Sequence, residues 1–326
     1  MNITTYIILA ILLFVVEIIY LKVAKKYNII DNPNSRSSHT TPTIRGGGII
    51  IFLAFIIYGL WFNQLVPPYS YLIVSISLVA IISFIDDLVS LSSKIRILVH
   101  ILAFTLIFYT LNVFSIYSIF VIPIYYIVAI GFLNIYNFMD GINGLTFLNT
   151  LATFAILLAL NSYYLEFTDN NLLIILIIAT LVFGVFNYRN KPKCFAGDIG
   201  SITIGLAIIY FVISFYIKTN NPLIFLALSM YLIDGGLTII ERLFRKENLF
   251  KPHKRHLYQV LANDLKINHL TISTGYFIIQ MLFNVFAYFA ITKGHNNILL
   301  LIIPVGFVSI IYLAIKFKIK NTPTLV

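Results

Sequence analysis

Residues Ile119–Leu145 read "IFVIPIYYIVAIGFLNIYNFMDGINGL". An apolar run reaches Leu133, then three asparagines, an aspartate and two glycines interrupt it, and another apolar run begins at once. The apolar part has the length and character of a membrane span, and the polar insert falls where such a span must meet water.

The whole chain has this character. It is 60% hydrophobic and 10% charged, with mean hydropathy +0.95, whereas a soluble domain carries about a quarter charged residues. An integral membrane protein is implied, in contact with the bilayer along most of its length. Eleven windows are apolar enough to span: 4–23, 48–66, 70–86, 97–114, 118–136, 145–162, 171–188, 201–217, 223–241, 271–290 and 298–315. The expected fold is all-α, a polytopic membrane helix bundle forming a single integral membrane domain over 1–326. "MNITTYIILA" has no basic n-region and no small-residue cleavage site follows, so the first window reads as a span rather than a cleaved signal. A single cysteine, Cys194, excludes an intrachain disulfide and a thiolate zinc site.

Every Lys and Arg except Lys218 and Lys293 falls on one side of these spans. The positive-inside rule places that side in the cytoplasm, with the C-terminus, and puts the N-terminus outside. Such basic loops account for the net charge of +10 without a nucleic-acid partner.

The carboxylates sort on the same map. Only Glu166 and Asp169 fall in an outside loop, while Asp86, Asp87, Asp140 and Asp198 sit where a span meets the cytoplasm. An ionised carboxylate at a helix centre costs about 2.5–3.5 kcal/mol on insertion scales, so the boundary is the cheaper place for it. Carboxylates from separate loops at one depth suggest a shared site, where a divalent cation and basic loops would relieve their repulsion.

Each loop adds its own chemistry. "FIDDLVSLSSKIRILVH" ends a span with Asp86 and Asp87, followed by Lys94 and Arg96. Paired carboxylates can bind magnesium, one of them can take a proton, or the segment is simply a solvated helix end. Asn134 and Asn137 share a helix face one turn apart, and Asp140 continues it at the membrane edge. Amide oxygens and a carboxylate are hard ligands suited to magnesium. "CFAGDIGS" sets Asp198 between glycines at a helix start, suited to a phosphate or to a helix cap. Lys251, His253, Lys254, Arg255 and His256 crowd "NLFKPHKRHLYQ", fitting a phosphate clamp or an ordinary basic loop. Arg36, His39 and Arg45 precede a triple glycine in a loop open to the same two readings, and the glycines serve either close helix packing or backbone approach to a ligand. Together these features read as a membrane enzyme that joins a water-soluble diphosphate compound to a lipid.

In order and type, the Asp-Asp span end, "NxxNFMDGxxGL", "GDxGS" and the long loop ending "PHKRHLYQ" resemble the polyprenyl-phosphate N-acetylhexosamine-1-phosphate transferases. This is glycosyltransferase family 4, the WecA/MraY superfamily, and the likeness is closest to its O-antigen-initiating branch. The resemblance covers nearly the whole chain. It implies a bundle of ten or eleven helices, often a homodimer, in the bacterial inner membrane. The implied activity is magnesium-dependent, manganese serving as a substitute: sugar 1-phosphate passes from a UDP-sugar to undecaprenyl phosphate, and UMP leaves.

By matching motif, Asp86, Asp87 and Asp198 would be catalytic, Asp86 activating the lipid phosphate. Asn137 and Asp198 would hold the metal. Asn134, Asp140 and Asn143 would bind substrate, the last two at the nucleotide, while Lys94, His253, Arg255 and His256 would contact phosphates. Asn143 stands where many members carry aspartate, and the family's "HLHH" is here "HLYQ". A secondary transporter is the rival reading. Transporters keep ionisable groups near the midplane and show internal repeats, whereas these acids gather at one edge and neither motif recurs.

Overall fold

The computed structural model describes residues 3–33, 38–39, 41–248 and 253–321. Its helices are α1 (Ile3–Lys26), α2 (Ile49–Trp61), α3 (Tyr69–Leu88), α4 (Ser93–Thr110), α5 (Val113–Ile116), α6 (Ile122–Phe138), α7 (Leu145–Tyr163), α8 (Asn170–Asn187), α9 (Gly197–Thr219), α10 (Ser229–Phe244), α11 (Leu257–Asn263), α12 (His269–Thr292) and α13 (Leu299–Asn321). A 3-10 segment, Pro222–Leu228, leads into α10. The molecule is an all-α, multi-pass membrane bundle.

Among the described residues, nine helical segments are long and apolar enough to cross a membrane. All eleven expected windows are helical, but two are shorter than a full span. α2 has 13 residues and α6 has 17, or about 20 and 26 Å at 1.5 Å per residue. The window 48–66 overran because its last residues, Phe62 onward, form a turn that includes left-handed Asn63. Pro123 in the first turn sets the start of α6 at Ile122.

α9 lies at the centre, with most of its residues buried, whereas α13 is peripheral and few of its residues are fully buried. Small residues let α9 be crowded. A Cβ on Gly48 would stand 2.3 Å from the Cα of Gly200, so backbone meets backbone where α2 begins against α9. The triple glycine therefore serves close packing.

A two-stranded ladder, β1 (Ile30–Asp31) antiparallel to β2 (Thr43–Ile44), folds the α1–α2 loop back over the bundle end. The ladder continues as a parallel bridge from Ile44 to Cys194. Backbone bonds from Gly47 to Phe195 (2.8 Å) and from Gly48 to Ala196 (3.0 Å) fasten that loop to the start of α9.

Candidate active site

The end of α3 and the start of α9 are joined by one carboxylate. Asp87 Oδ1 accepts the Asp198 backbone N–H at 3.1 Å, and Oδ2 accepts that of Ile199 at 3.2 Å. First-turn N–H groups have no partner within their own helix, and negative charge is favoured beside them. Gly197 makes the approach possible. At φ +71° its Cβ would lie 2.7 Å from Asp87 Oδ2 and 2.8 Å from the Gly46 nitrogen.

Two arginines complete the cluster. Arg45 sets Nε 2.8 Å from Asp87 Oδ1 and Nη2 3.5 Å from Asp198 Oδ1. Arg96, on the first turn of α4, sets Nη1 2.9 Å from Asp86 Oδ2 and 3.8 Å from Asp198 Oδ2. Asp86 Oδ1 accepts the Leu91 N–H at 2.6 Å. Asp86 and Asp87 thus each hold one arginine, and Asp198 stands between the two.

Two cavities open on this cluster. The larger, about 470 Å³, has a cationic end made by Arg96 and Arg242, with the rings of His253 and His256 also lining it, and apolar walls that include Ile97, Ile135, Ile202 and Ile239. The smaller, about 230 Å³, is lined by Asp31, His39, Arg45, Asp140 and Phe195 among others. Asn137, Asp198 and Gln259 belong to both. Burial pushes the Asp140 carboxyl up to about 6, against a 2.6 Å bond from the Thr146 hydroxyl that lowers it. Burial, with His256, Arg242 and Arg255 nearby, brings His253 down to about 4, leaving its ring neutral at pH 7.

The expected site residues divide accordingly. Asn134, Asn137, Asp198, His253 and His256 line the larger cavity; Asn137, Asp140 and Asp198 line the smaller. Asp86 and Asp87 line neither and lie one arginine removed from them. Lys94 is exposed outside both. Asn143 is buried and pins the α8–α9 loop, donating to the carbonyls of Arg189 (2.9 Å) and Asn190 (3.3 Å). Arg255 pairs with Glu247 at 2.6 Å beyond the cavities. Arg36 and Lys251 lie outside the described residues.

Arg96, Arg242, His100 and Phe195 carry no site role in the sequence, and Arg45 stands there only as part of a basic loop. Arg242 closes the cationic end while buried at the foot of α10. Its signal was the spacing Asp234, Thr238, Arg242, a polar stripe at intervals of four along one face of a mostly apolar helix.

No group of three or more His, Cys, Asp or Glu stands ready to cage a metal among the described residues. The oxygens of Asp198 and Asn137 nevertheless fit magnesium, which binds through one or two carboxylates and takes its other ligands from substrate phosphates and water. Asn137 Oδ1 is held in place by the Ser201 hydroxyl at 2.6 Å.

Residues 69–216 match the model of the family described as glycosyl transferase family 4. That stretch runs from α3 into α9 and contains Asp86, Asp87, Arg96, Asn137, Asp140 and Asp198, but not Arg45 or the His253–His256 segment. The match covers less than half of the chain and supports a membrane-embedded transferase similar to this family. No curated protein matches the chain.

Proposed function

We propose that this chain transfers a sugar 1-phosphate from a UDP-sugar, an N-acetylated hexosamine, to undecaprenyl phosphate. UMP is released, and undecaprenyl-diphosphate-sugar starts a surface polysaccharide such as O-antigen or teichoic acid. The chemistry takes place at the cytoplasmic face of a bacterial inner membrane, and residues 1–326 form the catalytic unit. One observation carries this reading: a polar cavity and a larger, partly apolar one with a cationic end meet at Asn137 and Asp198. A nucleotide suits the first, where the Phe195 ring offers a surface for a base among polar groups. A phosphate on a hydrocarbon chain suits the second.

The transfer joins two anions, so charge repulsion is the main barrier. Arg45, held by Asp87, faces the nucleotide side; Arg96, held by Asp86, faces the acceptor side. Magnesium held by Asp198 and Asn137 would neutralise the diphosphate. An oxygen of the lipid phosphate attacks the β-phosphorus directly. The bond from that phosphorus to the bridging oxygen breaks, and UMP departs with the oxygen and its electron pair.

Purified protein incubated with magnesium, undecaprenyl phosphate and a panel of UDP-sugars tests the reading. The expected products are UMP and a lipid heavier by one sugar phosphate. Release of UDP, with only a sugar added to the lipid, would overturn it. Inversion at an isotopically chiral β-phosphorus is expected for direct attack; retention would indicate a phospho-enzyme.

A further inference from the structure

Asp234 has no part in the chemistry described above, yet among the described residues it is the most heavily bonded carboxylate. It is fully buried in α10. Its Oδ1 lies 3.2 Å from His256 Nδ1 and accepts the Leu257 N–H at 3.0 Å and the Tyr312 hydroxyl at 2.9 Å. Its Oδ2 accepts the Tyr276 hydroxyl at 2.6 Å and the Tyr258 N–H at 3.4 Å. A carboxylate buried among apolar helices is costly unless satisfied in this way. The donors come from α11, α12 and α13, so the last three helices bear on one group.

The consequence falls on His256, itself only 3% exposed. An ionised carboxylate can only accept, so the His256 nitrogen facing it, Nδ1, carries a proton. The ring is further held by Tyr258, stacked at 5.6 Å, and by His253 at 4.9 Å. His256 Nε2 is left buried without a hydrogen-bond partner among the described residues, on a side chain that lines the larger cavity.

We propose that Asp234 is a positioning residue, which fixes His256 with Nδ1 protonated so that Nε2 is presented to an oxygen of a phosphate monoester at the cationic end of the larger cavity. Nε2 takes the proton of a monoprotonated phosphate, and the resulting imidazolium, stabilised by Asp234, donates it back as a hydrogen bond to the dianion. The role rests on the reading of that cavity as the acceptor-phosphate site. Were Asp234 merely a structural pin for the α10–α11 loop, the protonation of His256 would not matter.

The test uses the full chain in nanodiscs with ¹⁵N-labelled histidine, the His256 resonances being assigned by their loss in H256Q. Geranyl phosphate is the probe. We expect a protonated Nδ1 in the free protein and a shift of the Nε2 resonance when geranyl phosphate binds. In D234N the proton moves to Nε2, as when the aspartate of a serine-protease triad is made asparagine. Affinity for geranyl phosphate then falls about tenfold, the cost of exchanging a charge-assisted bond for a neutral one. In an H256Q background D234N changes the affinity less than about twofold, because the two act as one unit. An unprotonated Nδ1 in the wild type, or an equal D234N loss in both backgrounds, overturns the positioning role. A protonated Nδ1 with no binding of geranyl phosphate overturns instead the acceptor-site reading on which the role depends. If D234N does not fold, the wild-type protonation and the Nε2 response decide.

Discussion

Asp87 accepts the backbone N–H of Asp198 at 3.1 Å, so the last turn of α3 holds the first turn of α9. A residue that the sequence offers as half of a catalytic pair is also a joint between helices. Asp87→Ala leaves two helix N–H groups without their acceptor and Arg45 with Asp198 alone. We expect a loss of about 1–3 kcal/mol, the usual cost of stranding buried polar groups. Asp87→Asn keeps an acceptor but removes the charge facing Arg45; it should retain most of the thermal stability and lose most of the UMP release. Melting curves alongside activity separate the two effects. An Asp87→Ala protein as stable as the wild type would rule out the joint.

The contact between Gly48 and Gly200 is backbone on backbone, with no side chain able to yield. Gly48→Ala and Gly200→Ala should each cost about 1–3 kcal/mol through overpacking, and displace Arg45 from Asp198. Gly306 in α13 has nothing within 4 Å of a built Cβ. Gly306→Ala should be neutral, or stabilise by up to about 1 kcal/mol through helix propensity. Melting temperatures of the three variants check the contrast.

Arg45 lines the smaller cavity and Arg96 the larger. Arg45→Ala should raise KM for the UDP-sugar with little change for the acceptor, and Arg96→Ala the reverse. Each effect should be about ten- to a hundredfold, as for a lost hydrogen bond to a charged group. Lysine at either position should restore little, since each guanidinium reaches two carboxylates at once. Steady-state kinetics in both substrates would show the crossover, and equal effects on both KM values would contradict it.

With its carboxyl pushed up to about 6, Asp140 binds a proton more tightly in the folded protein than in the unfolded chain. Its contribution to stability therefore rises as pH falls from about 6 towards 4, and is smallest above 6. Asp140→Asn removes this dependence. Between pH 7.5 and 5, wild type should gain melting temperature relative to Asp140→Asn. A constant difference across that range would show that the carboxyl is not raised.

The spans were legible because twenty apolar residues leave few alternatives to a membrane helix. The true length of α2 is not legible, since hydropathy does not register the turn at Phe62 and Asn63 that ends it. Asn137, Asp140 and Asp198 could be found as polar residues at span edges, where solvation cost makes position informative. The arginine pairings could not. Arg45 and Asp198 are far apart in the chain and meet only through the packing of α2 on α9, and nothing local to either residue encodes that contact. His256 was readable as a basic-loop histidine, but its tie to Asp234 depends on how α11 folds back over α10. Asn143 and Arg255 matched the motif, while their actual partners, the α8–α9 loop carbonyls and Glu247, appear only in three dimensions.

Two substrates meeting at one seam is the central claim about this molecule. A cryo-electron-microscopy map with a non-transferable UDP-sugar analogue, magnesium and a short isoprenyl phosphate tests this most directly. We predict the nucleoside in the cavity of Asp31, Asp140 and Phe195, the hydrocarbon in that of Ile97 and Ile239, and the diphosphate against Asn137 and Asp198. Both ligands in one cavity, or a diphosphate remote from Asp198, would contradict it.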